Sequence, residues 1–155
     1  MIDAGVFFDI KSDAAAVTLG TRSQIMHGAH FETGYGGHII LGDDCYVGAF
    51  AILNGDGGLE IGNNALIAGH CHIVSGNHCF ADLSQPMNSQ GIAGQSIVLE
   101  DDVWLGAGVK TLDGMRIGRG SIVSAGAVVT RDVAPCSIMG GVPAKLIRQR
   151  RQERG

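Results

Sequence analysis

A repeat of six residues runs from Ile97 to Val129 and constrains this chain more than any other feature. Every sixth position counted from Leu99 is mostly large and aliphatic: Leu99, Leu105, Thr111, Ile117, Val123 and Val129. The positions two residues earlier change from aliphatic to small: Ile97, Val103, Val109, Met115, Ser121 and Ala127. The positions three residues later are glycine or aspartate: Asp102, Gly108, Gly114, Gly120, Gly126 and Asp132. An internal repeat of this kind is typical of a solenoid.

The length of the repeat distinguishes strands from a helix. Six steps along an α-helix rotate a side chain by about 240°, which would scatter the aliphatic set around the helix axis. Side chains of a strand alternate between two faces, so every sixth residue keeps its face if the chain turns between short strands. Glycine and aspartate suit such turns. The repeat therefore predicts a parallel β-helix with coils of about eighteen residues, stacked roughly 4.8 Å apart.

The strength of the repeat divides one domain, residues 1–155, into three segments. Residues 1–40 carry the repeat weakly and are expected to form irregular N-terminal coils that close the end of the solenoid. Residues 41–134 carry it clearly, apart from a small bulge with Asn54 and Asp56 and a long excursion at about 79–96. We expect this apolar excursion to fold over a surface, because structureless loops of more than about 12–15 residues are usually functional or disordered. Residues 135–155 predict an extended segment and a short basic C-terminal helix.

The composition argues against several classes of protein. No run of eighteen apolar residues occurs, and the start MIDAGVFFDI has no basic region, so we expect neither membrane insertion nor a signal peptide. The four cysteines have no CxxC spacing, and Cys45 and Cys71 take the small inward position of the repeat. They are interpreted as reduced packing residues of a cytoplasmic protein. The net charge is −4, with five of eleven Lys and Arg after residue 144, so a nucleic-acid partner is not expected.

Three stretches of the sequence resemble the hexapeptide-repeat acyltransferases: SGNHCFADLSQPMNSQG, DDVWLGAGV and GSIVSAGAVVTRDVAPCSIMGGVPAKLIR. The resemblance covers roughly residues 38–148. It is greatest to the branch that contains maltose, galactoside and polysaccharide O-acetyltransferases and the xenobiotic acetyltransferases. It implies an all-β, left-handed parallel β-helix that forms a homotrimer with active sites between subunits. It also implies direct transfer of an acetyl group from acetyl-CoA, without a metal, to a hydroxyl of a sugar or sugar-containing acceptor.

In this resemblance His78 takes the place of the family's catalytic histidine. A sugar hydroxyl is a poor nucleophile until its proton is removed, and an imidazole that titrates near neutral pH can accept that proton. The same imidazole can then return a proton to the CoA thiolate. The tetrahedral oxyanion needs a fixed donor, which the resemblance identifies as a backbone N–H near Ala107. Direct transfer requires no serine or cysteine nucleophile.

The resemblance also implies binding residues for acetyl-CoA and for the acceptor. Trp104 matches a tryptophan beside the site, and the pantetheine arm is matched by Ala107, Ala125 and Thr130. The nucleotide end, whose phosphates need cations, is matched by Arg131, Lys145 and Arg148. Asp56, with Asn54 beside it, matches an acidic residue that contacts sugar in the galactoside and maltose enzymes. An asparagine of those enzymes is Gly48 here, which leaves the acceptor open.

Two other classes of function remain open at this point. His70, His72 and His78 lie close in sequence, and the γ-class carbonic anhydrases hold zinc with three histidines on the same fold. Their ligands are spread over two coils with a long gap, which this sequence does not reproduce. His70 and His72 can equally be turn or interface residues. A third possibility is a non-catalytic β-helix subunit that only holds an assembly together.

Overall fold

The computed structural model describes residues 1–151, which form a parallel β-solenoid of about six coils. The strands in chain order are β1 Phe7–Ile10, β2 Ala16–Leu19, β3 Gln24–Ile25, β4 His30–Thr33, β5 His38–Leu41, β6 Tyr46–Val47, β7 Ile52–Asn54, β8 Leu59–Ile61, β9 Leu66–Ile67, β10 His72–Val74, β11 Gly76–His78, β12 Ile92–Gly94, β13 Ile97–Leu99, β14 Trp104–Leu105, β15 Lys110–Thr111, β16 Arg116–Ile117, β17 Ile122–Val123, β18 Val128–Val129, β19 Ser137–Gly140 and β20 Lys145–Gln149. A single 3₁₀ turn, Met87–Ser89, lies within the excursion.

Three sheets form the walls of the solenoid. Sheet A stacks β3, β6, β9, β14, β17, β19 and β20; sheet B stacks β1, β4, β7, β10, β15 and β18; sheet C stacks β2, β5, β8, β13 and β16. Neighbouring strands in these walls are parallel, except that β19 and β20 are antiparallel. β11 and β12 form a separate antiparallel pair in the excursion. The wall strands come in chain order A, B, C, so each complete coil contributes one short strand to each wall, whereas β18 of sheet B is followed directly by β19 of sheet A.

The walls meet at three corners, which position the candidate site. Corner 1 joins sheet A to sheet B and contains residues 26–29, 48–51, 68–71, 106–109 and 124–127. Corner 2 joins sheet B to sheet C and contains residues 34–37, 55–58, 75–96, 112–115 and 130–132. Corner 3 joins sheet C back to sheet A, for example at residues 100–103 and 118–121. The excursion is therefore an expanded corner 2.

The predicted repeat is confirmed by the packing. Ile67 pairs with Val47 on one side and with Leu105 on the other, so aliphatic side chains stack in a column inside the solenoid. The sixth-residue set from Leu99 to Val129 is buried throughout. At the predicted turn positions φ lies between 56° and 72° for Asp102, Gly108, Gly114, Gly120 and Gly126, whereas Asp132 has no positive φ. Positive φ explains why glycine dominates these positions.

The N-terminal segment contributes its own strands to the walls. β1 pairs with β4 over four residues, and β2 pairs with β5 over four residues. The segment predicted as irregular coils therefore contains strands in register with the next coil. Cys45 and Cys71 are buried free thiols, and burial raises the pKa of both, as expected for unreactive packing residues.

The prediction of a C-terminal helix was wrong, because residues 145–149 form strand β20. Local signals at Pro143 and the basic run favoured a helix, but β19 ends the solenoid and presents an edge of unpaired backbone groups. β20 pairs antiparallel with β19, for example Ile138 with Arg148, and satisfies that edge. Arg154, part of the predicted helix, lies outside the described residues.

Residues 1–151 contain no helix whose length and apolar character would let it cross a membrane.

Candidate active site

His78 ends β11, at the point where the chain leaves sheet B and enters the excursion at corner 2. It pairs with Ile92 of β12, so the two arms of the excursion hold its backbone. Its side chain is exposed and lines a cavity of about 410 Å³ together with Cys79, Phe80 and Gln95. The predicted general base therefore lies at an accessible cavity rather than in the core.

Asn77 fixes the excursion to the neighbouring coil, a contact that the sequence did not predict. Asn77 Nδ2 donates to Asp113 Oδ1 at 2.6 Å, and Asp113 also lines the cavity beside His78. The two residues are 36 positions apart, so no local pattern indicates the contact. It limits how far the backbone beside His78 can move.

The excursion is held together by its own hydrogen bonds around Asp82. Ser84 Oγ donates to Asp82 Oδ1 and Gln85 Nε2 donates to Asp82 Oδ2, both at 2.6 Å. These hydrogen bonds lower the pKa of Asp82 to about 2. Gln90 closes the loop, since Asp82 N–H donates to its Oε1 and its Nε2 donates to the Asp82 carbonyl. Hydrogen bonds between Asp82 and Gln90 therefore link the two ends of the loop 82–90, without an apolar core.

The apolar side chains of the excursion point away from the chain that carries them. Leu83 is 98% exposed, Phe80 69% and Met87 65%. The expectation that the excursion folds over a surface is not met by the chain itself.

We predict that Asp82→Ala loosens the excursion without unfolding the solenoid. The folded pKa of Asp82 lies below its ordinary value of 3.8, so its contribution is present above that value and is lost as pH falls toward 2. At pH 7 the variant should be cut faster by chymotrypsin between Phe80 and Met87, with an unchanged melting temperature. Asn88→Ala is the matched control within the same loop. Equal cleavage rates in all three proteins would contradict this role of Asp82.

Asp56 lies at the same corner, one coil before the excursion, and Asn54 is the last residue of β7 directly before it. The Gly34 N–H donates to Asp56 Oδ1 at 2.7 Å, and Asn54 Nδ2 donates to Asp56 Oδ2 at 3.0 Å. Asn54 is only 8% exposed, whereas Asp56 is half-buried. Asn54 therefore orients the Asp56 carboxylate, and Asp56 is the better placed of the two to meet a ligand.

Ala107 and Ala125 lie at corner 1 in equivalent turns of successive coils. The Val109 N–H donates to the Gly106 carbonyl, and Gly108 has φ 70°, which makes residues 106–109 a type II turn with Ala107 at its second position. Within residues 1–151 neither Ala107 N–H nor Ala125 N–H donates a hydrogen bond. A Cβ built on Gly108 or Gly126 would meet nothing within 4 Å. Corner 1 thus offers bare backbone and free N–H donors to a ligand.

The other predicted acetyl-CoA residues divide between two sides of the molecule. Trp104 is 48% exposed on sheet A, three residues before Ala107. Lys145 and Arg148 are exposed on β20, at the end of sheet A. Thr130 and Arg131 instead follow β18 and belong to corner 2, the His78 corner.

Within one chain His78 and Ala107 lie at different corners, with sheet B between them. Strand β15 runs between Ala107 at corner 1 and Leu112 at corner 2. Two copies placed side by side, with corner 1 of one against corner 2 of the other, would join the two groups. The predicted site is therefore incomplete within one chain.

The histidines singled out for a metal are dispersed: His70 lies at corner 1, His72 on sheet B and His78 at corner 2. In residues 1–151 no three His, Cys, Asp or Glu side chains are grouped so that they could hold a metal ion.

Comparisons with known proteins agree with the fold. Residues 38–69 and 93–131 match the model of the hexapeptide repeat of succinyl-transferase. Probable acetyltransferase Rv3034c of Mycobacterium tuberculosis is 33% identical over 114 residues, which is 74% of this chain and 38% of that protein. The hexapeptide-repeat-containing acetyltransferase VCA0836 of Vibrio cholerae is 29% identical, with a TM-score of 0.75 over 87% of this chain and 74% of that chain.

A further solved structure is AntD, an N-acyltransferase of Bacillus cereus, in complex with dTDP-4-amino-4,6-dideoxyglucose and coenzyme A. It aligns with a TM-score of 0.83 at 19% identity over 97% of this chain and 81% of that chain. This likeness shows the fold, a left-handed β-helix. The chain spans less than two thirds of the length of the curated relatives that it matches. By the matched repeat, the relatives and the shared solenoid, the chain carries hexapeptide repeats and is similar to the hexapeptide-repeat acetyltransferases.

Proposed function

We propose that this protein is an acetyl-CoA-dependent O-acetyltransferase that acts on a hydroxyl of a sugar or sugar-containing acceptor. The observation that carries the proposal is the accessible histidine at the cavity of corner 2, combined with the free N–H donors at corner 1. AntD, which shares the solenoid fold, is an N-acyltransferase. We favour a hydroxyl acceptor because a hydroxyl needs a base to become nucleophilic, whereas a neutral amine does not.

In the proposed reaction His78 accepts the proton of the acceptor hydroxyl while the hydroxyl oxygen attacks the thioester carbonyl. The Ala107 N–H donates to the oxyanion that forms on the carbonyl oxygen. Collapse of this intermediate breaks the carbon–sulfur bond, and the departing CoA thiolate takes the proton back from His78. The products are the acetyl ester and free CoA. The bare turns at Gly108 and Gly126 leave room for the pantetheine arm to lie against the backbone.

The proposal requires an assembly, and we expect a C3 homotrimer with three sites between subunits. The supporting observations are the exposed Leu83 and Phe80 of the excursion and the separation of His78 from Ala107. A cyclic arrangement places corner 1 of each copy against corner 2 of the next. Light scattering should give three times the 16.1 kDa of the chain. A monomer at micromolar concentration would contradict both the assembly and the shared site.

We predict that Lys145→Ala combined with Arg148→Ala raises KM for acetyl-CoA and leaves kcat nearly unchanged. Phosphate contacts far from the thioester are made equally in the ground state and the transition state, so they affect binding alone. Steady-state kinetics at varied acetyl-CoA measures the effect. Arg151→Ala, at an exposed cation after β20, is the control. A loss of kcat at unchanged KM would contradict this role of the two residues.

Release of free thiol from acetyl-CoA tests the function directly when it is followed against a panel of sugars, amino sugars and nucleotide sugars. Hydroxylamine then identifies the product, because it cleaves an ester and leaves an amide intact. Turnover that yields an ester supports the proposal. Turnover that yields only amides assigns the protein to the N-acyltransferases instead.

A further inference from the structure

Lys110 and Asp113 are charged residues of one coil whose charges are not balanced within the chain. They lie at the two ends of β15, Lys110 next to corner 1 and Asp113 at corner 2. In the part of the chain that the structure describes, neither side chain forms a salt bridge. The next cation along the same coil, Arg116, is paired with Glu100 at 2.8 Å. Lys110 and Asp113 are therefore available to a partner outside the chain.

The side chain of Lys110 turns toward corner 1. Its Nζ donates to the Gly108 carbonyl at 3.3 Å, and thus lies beside the turn that carries the Ala107 N–H. None of the turns of corner 1 contains Asp, Glu, Lys or Arg, so no charge within them offsets the ammonium. The side chain is exposed. The proposed oxyanion site thus has an exposed positive charge next to it.

The carboxylate of Asp113 lies at corner 2, on the side of the predicted base. Its Oδ1 accepts from Asn77 Nδ2 at 2.6 Å, and Asn77 directly precedes His78. Asp113 lines the same cavity as His78, and within residues 1–151 its Oδ2 accepts no hydrogen bond. One oxygen therefore holds the segment that carries His78, and the other is open to a donor.

The proposed trimer places these two charges opposite each other. Corners 1 and 2 are the two ends of sheet B, so joining corner 1 of each copy to corner 2 of the next surrounds the threefold axis with three B walls. Rotation about an axis parallel to the solenoid keeps each coil at its own height. Lys110 and Asp113 belong to one coil, so the ammonium of one copy faces the carboxylate of the next at the same level.

We propose that Lys110 of each copy forms an ion pair with Asp113 of the next copy, and that this pair aligns the two halves of the shared active site. The inference rests on the proposed function and on its trimer. Charge complementarity across an interface fixes the register of the partners. Polar contacts then run from the Gly108 carbonyl through Lys110 and Asp113 to Asn77, beside His78. Lys110 and Asp113 are positioning residues, because neither touches the reacting atoms.

Carbodiimide cross-linking tests the contact without the reaction, because this reagent joins an amine directly to a carboxylate that it touches. In the parent we expect covalent dimers and trimers in which a linked peptide joins Lys110 of one chain to Asp113 of another, as mass spectrometry identifies. Lys110→Arg keeps the charge but removes the amine. This variant should lose the cross-link and still form the trimer in light scattering. A parent trimer without the Lys110–Asp113 link would contradict the pair.

Charge reversal tests whether the pair positions the site. Lys110→Glu and Asp113→Lys each oppose like charges at all three interfaces and should lower kcat by roughly 10- to 100-fold, since small misplacements of reacting groups have effects of this size. The double variant restores opposite charges and should recover kcat to within a few-fold of the parent. Asn77 tolerates either sign, because an amide can donate to a carboxylate or accept from an ammonium. Arg119→Glu reverses an exposed cation at corner 3 and should match the parent.

The outcomes distinguish this inference from the proposed function. Full activity of both single variants, or losses that persist in the double variant, would overturn the positioning role. Acetyl transfer by a trimer that lacks the cross-link would overturn the ion pair alone. A Lys110–Asp113 cross-link between chains, without acetyl transfer to any acceptor of the panel, would overturn the proposed function and support the contact. A monomer would overturn both.

Discussion

His78→Ala should lower kcat by about 10²–10⁴-fold while the assembly and the affinity for acetyl-CoA survive. This is the range that a positioned general base contributes. The side chain is exposed at the cavity of corner 2, and its backbone is held by pairing with Ile92. Its removal therefore leaves no void in the core. The loss should appear in the chemical step alone.

The pH dependence of kcat/KM gives a second measurement for His78. The activity of the parent should fall as the pH is lowered, because a general base must be unprotonated to accept a proton. His78→Ala should lose this dependence. His70→Ala and His72→Ala serve as controls and should have far milder effects, since His70 lies at corner 1 and His72 lies on sheet B. If His78→Ala keeps most of the activity, the assignment is wrong.

The repeat in the sequence was sufficient to predict the core and the turns of this solenoid. Leu105 and Val123 point inward because strands alternate their side chains, and this alternation is a local property that a sequence displays. The excursion could also be predicted from the sequence, because the repeat of six residues is interrupted there. His78 was found through the residues around it, and it lies at the beginning of that break.

The features that the sequence did not predict depend on contacts between residues far apart in the chain. The C-terminal segment has the local signals of a helix, but the open edge of β19 made it a strand. Thr130 and Ala125 are five residues apart and were assigned to one pantetheine site, yet a strand separates them and places them at different corners. The contact of Asn77 with Asp113 bridges two coils. No pattern within a single coil carries this information.

Ala107→Pro should lower kcat by about 10²–10³-fold, the effect of removing one donor from an oxyanion site. The substitution is unusual in that it removes the N–H and leaves the turn intact. Ala107 is the second residue of a type II turn, a position that proline favours. Its N–H donates no hydrogen bond within residues 1–151, so the solenoid loses none of those bonds. The melting temperature should be unchanged or slightly higher.

Ala125→Pro is the matched control, since Ala125 occupies the same place in the turn of the next coil. That coil is assigned to the pantetheine arm, so this variant should change KM for acetyl-CoA and leave kcat within a few-fold of the parent. Steady-state kinetics on both variants, with circular dichroism to confirm the fold, separates the two effects. Equal losses of kcat in both variants would mean that proline lowers kcat by changing the shape of corner 1. The loss in Ala107→Pro could then not be assigned to its missing N–H. Full activity of Ala107→Pro would show that the oxyanion is stabilised by another donor.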